Sequence, residues 1–529
     1  MAIVASCFLI FDDPRNAKET VLAVGGVRKD RFRIPEREHR VLAERGPHLD
    51  GMGGGNDAAR VQSVELLHVF EEIPQLFAEP IGVRVGKREA RKPRDVQHLF
   101  PRDRHALPPV EVERRIYHTI AGRGKTWRET LLPFPPSEPG VSPSTLAAGY
   151  DGPMGNHRFF ATTFKGLEEV LAGEVAALGG EEVGIGAGSV SFSGDMALCY
   201  RGNLRLRSAN RVVMLLSGFP APTPAALYEG ARDIPWTELF APERTIAVDA
   251  TVRDSGITHS HFAAQKTKDA VVDRFRDATG RRPDVDTASP DVRIVVRIVR
   301  DAASVSLDTS GESLNRRGYR AHPTEASLKE TLAAGLILLA GWQGGEPLVD
   351  PACGAGTIPI EAALIAGNIA PGSLGRSFGF QRLLGYDRKR WERLLAEARA
   401  EARRSGSVRI EGSDVSPEAV GWAIRNAQNA KLAERIRFTA RSIRIFSPGE
   451  GPGTILCNPP YGTRLPGGTQ AEAFYREMGE ALKKRSRGWT AFLLSGNPEL
   501  TGFLGLKASR KIPVMNGPID CRLLKYELY

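Results

Sequence analysis

The sequence predicts an α/β protein: a C-terminal domain built on a parallel sheet, preceded by a smaller α+β region and by an N-terminal stretch with little order. Three observations carry this expectation. From Glu325 onward, apolar strand strings (PLVD, VRIEGSD, ILCNPP) alternate with helical strings, as in a parallel sheet covered by helices. From Arg158, β-rich strings and two amphipathic helices suggest split β-α-β modules rather than a doubly wound sheet. The first 153 residues hold six of the ten histidines and a proline cluster from Pro133 to Pro143, without sustained periodicity.

Taken in order, residues 1–153 are expected to be a low-order segment. It is either an extra domain or basic tail, or an extension upstream of a functional start at Met154; the extension or disordered-tail reading is preferred. Residues 157–310 open with a strand near Arg158 to Thr163, a helix over 166–178 with Leu167, Val170, Leu171 and Val175 on one face, and the strand VSFSG. A strand IAVDATV, a helix ending on Gly280 and the strands VRIVVRIVR and ASVSLDTSG follow. Residues 311–325 form a basic linker, and 326–529 the parallel α/β domain. Its first helix, ASLKETLAAGLILLAGW, leads into a strand and a glycine loop.

Composition sets limits on function. The chain has 529 residues, 41% hydrophobic and 25% charged, enough for packed cores and a prior of three or four domains. The formal charge of +10 favours a polyanionic partner without naming one. Cys7, Cys199, Cys353, Cys457 and Cys521 are odd in number and lie far apart, which argues against a zinc site and a disulfide framework. No HxxxH or HExxH spacing points to any metal. A reducing cytoplasm is expected, with no exported or membrane-anchored segment, because the apolar run near Leu332 to Trp342 is shorter than the ~20 residues of a span.

Basic residues concentrate in two places. Lys266, Lys268, Arg274, Arg276, Arg281 and Arg282 load one helix and its exit, and Arg316, Arg317, Tyr319 and Arg320 follow in the linker GESLNRRGYRAHP. Such a helix face is often merely solvated. Its company with a linker carrying guanidinium groups and a ring suggests that Lys266 and Lys268 track phosphates and that Arg316, Arg317, Tyr319 and Arg320 hold phosphate and base together.

Three strings carry chemistry. In LVDPACGAGTIPIEAALIAG, Asp350 stands at the carboxyl edge of a buried strand, where ligands of open α/β sheets bind. Pro351 and Cys353 follow it, Gly354 and Gly356 let backbone approach a ligand closely, and Thr357 opens a helix facing the same crevice. Such a loop alone suits a nucleotide, a flavin or a sulfonium cofactor, and no phosphate-gripping P-loop string is present. In VRIEGSDVSPEAV, Asp414 after the second strand could hold ribose hydroxyls, or it could be a helix cap, a role Ser416 already offers. The 60 residues between Gly354 and Asp414 require an insertion, expected at 368–404. In ILCNPPYGTRL, the prolines remove two amide donors and fix the backbone, leaving the Asn458 side-chain oxygen and the Pro459 carbonyl as rigid acceptors. Accepting both protons of an exocyclic base amine would aim its lone pair at a methyl donor. Pro460 completes the rigid turn, and Tyr461 could stack on a flipped base.

Together DPACGAGTIPIEAA, GSDVSPEAV, NPPYG and NGPIDCRLLKYEL resemble the class I S-adenosylmethionine-dependent RNA methyltransferases that carry a THUMP domain. The closer likeness is to enzymes that methylate the exocyclic amine of a guanine in large-subunit (23S) ribosomal RNA. The similarity also takes in FFATTFKGLEEVLAGEV, LNRRGYR, LKETLAAGLILLAGW and GNIAPG, running from about Arg158 to Tyr529.

That resemblance implies a ferredoxin-like plus THUMP RNA-binding region followed by a Rossmann-like methyltransferase domain. It implies S-adenosyl-L-methionine as cofactor and RNA, chiefly large-subunit ribosomal RNA, as partner. Carried over by position, Asp350, Gly354 and Gly356 would line the methionine part, with Pro351, Cys353 and Thr357 also among the cofactor-binding residues. Asp414 would hold the ribose, Val415 and Ser442 would join the cofactor-binding residues, and Asn458 to Tyr461 would bind the target base, with Asn458 also facing the cofactor. Two departures stand out: Ser442 replaces the usual acid after the fourth strand, near the cofactor's adenine, and Ala355 replaces a serine in the loop. Rival readings are amino methylation of a transfer-RNA guanine or of an adenine, and a non-catalytic RNA-binding assembly factor that keeps the cofactor fold.

Overall fold

Backbone is described for residues 7–11, 19–24, 27–33, 155–321, 328–403, 408–460 and 468–529 of a computed structural model. The chain divides into two units, Met1–Arg128 and Glu129–Tyr529. In the first, β1 (Cys7–Phe11), β2 (Glu19–Val24) and β3 (Val27–Arg33) pair antiparallel in sequence order. Within the segment expected to be of low order, CFLIF, ETVLAV and VRKDRFR form these three short strands. The remainder of that expectation lies outside the described residues.

The second unit begins with β4 (His157–Thr162), α1 (Glu168–Ala177), β5 (Glu181–Gly186), β6 (Ser189–Gly194), α2 (Met196–Arg205) and β7 (Arg211–Pro220). It continues with α3 (Pro224–Arg232), α4 (Trp236–Leu239), β8 (Ile246–Arg253), α5 (Ser260–Thr279), β9 (Val292–Val299) and β10 (Ala302–Asp308). These strands form one seven-stranded sheet in the order β5-β6-β4-β7-β10-β9-β8. Only the β8 and β9 pair is parallel; the other pairs are antiparallel. Alternate residues such as Ile294, Val296 and Ile298 enter a core with Val271 and Phe275 of α5, the period of two that a one-sided strand demands. Gly280 ends α5 at φ +69°, the left-handed stop glycine supplies.

After the linker come α6 (Glu330–Leu339), β11 (Leu348–Asp350), α7 (Thr357–Ala366), α8 (Arg388–Ala400), β12 (Ile410–Asp414), α9 (Pro417–Asn429), β13 (Arg437–Ala440) and β14 (Thr454–Cys457). Then follow α10 (Gly468–Arg485), β15 (Thr490–Ser495), α11 (Pro498–Gly502), β16 (Arg510–Asn516) and β17 (Ile519–Glu527). The second seven-stranded sheet has the order β13-β12-β11-β14-β15-β17-β16. Its first five strands are parallel, and the β16–β17 hairpin adds antiparallel to β15. Strand order reverses between β11 and β14, so their carboxyl ends flank the crevice where such sheets bind ligands. Among the described residues no helix is long and apolar enough to cross a membrane.

The insertion expected at 368–404 holds two 3-10 turns and α8, and its aromatic residues pack away from the parallel sheet. Phe378, Phe380, Trp391 and Leu394 belong to the core of the first sheet. There Phe380 lies 4.5 Å and Trp391 6.3 Å from the Tyr200 ring of α2, measured between ring centroids. Phe164 and Leu167, from the start of the unit, enter the core of the second sheet instead. The two halves thus exchange apolar side chains.

Candidate active site

Neighbouring parallel strands bring the three predicted strings to one edge. Asp350 ends β11, Asp414 ends β12 and Asn458 follows β14, the strands being neighbours in the order β12-β11-β14; Ser442 follows β13 one strand further out. With strands about 4.8 Å apart, this edge spans roughly 14 Å, room for an elongated nucleoside–amino acid cofactor.

The glycine loop is held from below. The Cys353 amide donates to the Ser413 carbonyl at 2.9 Å and the Gly356 amide to the Cys353 carbonyl at 2.8 Å. The Gly354 amide donates to Asp414 at 2.9 Å, and the other Asp414 oxygen accepts from the Ser416 amide at 3.0 Å. Ser416 itself caps α9, accepting from the Ala419 amide, so Asp414 is the closure of the loop rather than the cap. Gly354 and Gly356 both take left-handed φ, +52° and +79°. A Cβ on Gly356 would meet the Ala423 methyl at 2.8 Å, whereas one on Gly354 would meet nothing within 4 Å. The loop is therefore packed on one side and open on the other, the shape of a ligand cradle.

Charge at the edge favours a cation. Asp350 is buried and accepts from the Ala352 amide at 3.1 Å. Burial, reinforced by the Asp414 charge, pushes its carboxyl up to about 7. The thiols of Cys353 and Cys457 are buried and held well above their ordinary range by burial and by Asp350, which suits packing and not nucleophilic attack. Pro351 and Thr357 are buried beside them, and Val415 is 72% exposed next to Asp414, an apolar face open to a flat ring. Among the described residues the buried Asn458 side-chain oxygen has no hydrogen-bond partner, and an unmet acceptor of this kind costs stability unless a group donates to it. Pro459 is buried and Pro460 half-buried; Tyr461 lies outside the described residues. Ser442 accepts from the Arg444 amide at the head of a short 3-10 turn.

The residues expected to bind RNA separate into two groups. Lys266 and Lys268 are half-buried on α5, Lys266 beside the Phe262 ring and Lys268 paired with Asp269 at 2.5 Å. Arg316 is exposed and paired with Glu312. Arg317 and Tyr319 are only 2% and 1% exposed, which corrects the sequence reading. Arg317 donates to the carbonyls of Leu314 and Arg207 at 2.9 and 2.6 Å and sits 3.5 Å from Glu361 of α7. The Tyr319 hydroxyl donates to Glu361 at 3.1 Å. Arg320 is likewise committed, to Glu330 at 2.9 Å and to the Thr357 hydroxyl at 3.2 Å. Side chains so enclosed hold the linker and do not reach an RNA backbone. Sequence reading missed Asn426, whose amide donates to the Ala355 carbonyl in the loop. Its signal was a polar residue in the apolar stripe Val420, Ala423, Ala427 of α9.

Family models match the RMKL-like methyltransferase domain over residues 317–525, the THUMP domain over 223–308 and the RlmL ferredoxin-like domain over 158–213. The protein slr0064 of Synechocystis sp., which carries a provisional RNA methyltransferase name, is 42% identical over 371 residues, covering 70% of this chain and 97% of its own. The chain belongs to the THUMP-containing, RMKL-like family of class I methyltransferases. Ribosomal RNA large subunit methyltransferase K/L of Methylococcus capsulatus is 43% identical over 376 residues, 70% of this chain; the match spans about half (51%) of that longer relative. A solved structure, SMU.472, provisionally named a methyltransferase and complexed with S-adenosylhomocysteine, is similar with a TM-score of 0.65 and 31% identity, covering 71% of this chain and 98% of its own. As a member of this family the chain uses S-adenosylmethionine, and the open loop, the acid pair and the orphaned Asn458 oxygen fit it.

Proposed function

We propose that this chain methylates the exocyclic amine of a guanine in large-subunit ribosomal RNA. The observation that carries the reading is the buried oxygen of Asn458, without a partner among the described residues, ahead of two prolines and just past the end of the strand next to that of Asp350. In this reading Asp350 and residues 351–357 bind the amino-acid part of S-adenosylmethionine, Asp414 and Val415 its ribose and base side, and Ser442 stands where its adenine ends. The cofactor supplies an electrophilic methyl carbon on a sulfonium. The Asn458 oxygen and the Pro459 carbonyl accept the two amine protons and orient the nitrogen lone pair, which the rigid turn does at low reorganisation cost. Lys266, Lys268 and Arg316 grip RNA phosphates from residues 157–310 and the linker.

The test is mass spectrometry of ribosomal RNA from a deletion strain complemented with parent or Asn458→Ala. The parent restores N(2)-methylguanine, whereas the variant falls at least 100-fold in turnover with cofactor affinity within about threefold, since the lost acceptor acts in the transition state. Intact guanine methylation in the uncomplemented strain, or product on transfer RNA or on adenine N6, would replace this substrate. Loss of S-adenosylmethionine binding by the parent would leave only the assembly-factor reading.

A further inference from the structure

Asn426 is 1% exposed and uses both ends of its amide. Its nitrogen donates to the Ala355 carbonyl at 3.0 Å, and its oxygen accepts from the Ala321 amide at 2.9 Å. Each partner has one role only, a carbonyl that accepts and an amide that donates, so the side-chain orientation follows from the chemistry. Ala355 lies between the two left-handed glycines of the loop. Ala321 belongs to the linker arriving from the first sheet. One buried side chain, on the helix that follows the Asp414 strand, therefore joins the cofactor loop to the linker.

The linker is fastened along the same two helices by other bonds. Asn429, one turn further on α9, donates to the Tyr319 carbonyl at 3.0 Å. Tyr319 and Arg320 reach Glu361 and Thr357 on α7, the helix that starts at the loop. Of all these contacts, only Asn426 touches the loop peptide itself. That bond holds the Ala355–Gly356 peptide, whose amide closes on the Cys353 carbonyl, and a loop fixed before its ligand arrives loses less freedom on binding.

We propose that Asn426 is a positioning residue: it sets the Ala355 peptide of the cofactor loop and ties that loop to the linker, so that cofactor binding tightens the linker from the RNA-binding half. The proposal rests on the loop being the S-adenosylmethionine site. Asn426→Ala removes both bonds, whereas Asn429→Ala removes a linker bond and leaves the loop untouched.

The experiment uses the full chain, with calorimetric titration of S-adenosylmethionine, steady-state kinetics and hydrogen exchange. Asn426→Ala is expected to raise the cofactor Kd and KM at least tenfold, with kcat at saturating cofactor within about threefold. Asn429→Ala is expected to leave Kd within twofold. In the parent, saturating S-adenosylmethionine is expected to slow amide exchange at 319–321 together with 353–357, a measurement that needs no variant to fold. Equal effects of the two substitutions on Kd, an unchanged Kd in folded Asn426→Ala, or linker exchange indifferent to cofactor would each overturn the proposal. Asp414→Ala serves as the control: if it leaves cofactor affinity unchanged, the assignment of the crevice fails, a result distinct from failure of Asn426 alone.

Discussion

Asp350 shows how a single carboxyl at a strand end senses its surroundings. Burial first, and then the Asp414 charge, raise its pKa from an ordinary 3.8 to about 7, against opposing donation from the Ala352 amide and the Cys457 thiol. Between those pH values the folded protein keeps a proton that the unfolded chain has released. The folded state therefore binds more protons, and its stability falls as pH rises through that window. The melting temperature of Asp350→Asn relative to the parent is expected to climb from pH 5 to pH 8; a flat difference contradicts the raised pKa. A cationic cofactor favours the ionised form, so affinity for S-adenosylmethionine should rise with pH in the parent and stay level in the variant. At this scale the sequence was informative where a residue's place followed from strand and loop chemistry, as for Asp350, Asp414 and Asn458. It was misleading for Arg317 and Tyr319, because a basic string reads alike whether its guanidinium meets solvent or a buried Glu361. Burial of that kind is decided by tertiary packing from residues such as Arg207, which no local pattern announces.

The glycine loop separates two uses of the same residue type. Gly356→Ala would place a methyl 2.8 Å from Ala423 at φ +79°. The left-handed backbone costs about 1–2 kcal/mol and crowding a further 1–3 or so, so thermal unfolding should show a loss of about 2–5 kcal/mol. Gly354→Ala meets no protein atom within 4 Å. It should cost only the backbone term, about 1–2 kcal/mol of stability, while its methyl enters the open side of the loop and weakens cofactor binding. Calorimetric titration beside a melting curve distinguishes the two, and equal melting losses would refute the contrast. The loop, its helix and the need for an insertion at 368–404 were all legible, since glycine spacing and a distance of 60 residues to Asp414 are local facts. Where that insertion docks was not, because Phe378, Phe380 and Trp391 could have packed on either sheet. The strands at 7–33 escaped notice because runs of five to seven residues, one of them the charged VRKDRFR, give little periodicity.

For the whole unit, the exchange of side chains between halves makes the linker a poor place to cut. A fragment of residues 326–529 would expose Phe378, Phe380 and Trp391, which are 2%, 0% and 6% exposed in the full unit. It is expected to aggregate on expression, whereas residues 155–529 stay monodisperse by size-exclusion chromatography; a soluble, cooperatively melting fragment would show that the two cores are independent. Fold class and the order of the two halves were readable from alternating strings, but their interlocking was not, since it depends on contacts far apart in sequence.

The β16–β17 hairpin carries this interlocking to the end of the chain. The Met515 amide donates to the Lys165 carbonyl at 2.9 Å, and a Cβ on Gly166 would run into the Pro513 carbonyl. The turn that follows the first strand of the unit thus acquires its neighbour only when the last strands have been synthesised. Vectorial synthesis can order much of each sheet in turn, but the opening turn meets its native neighbour only after the β16–β17 hairpin has left the translation machinery.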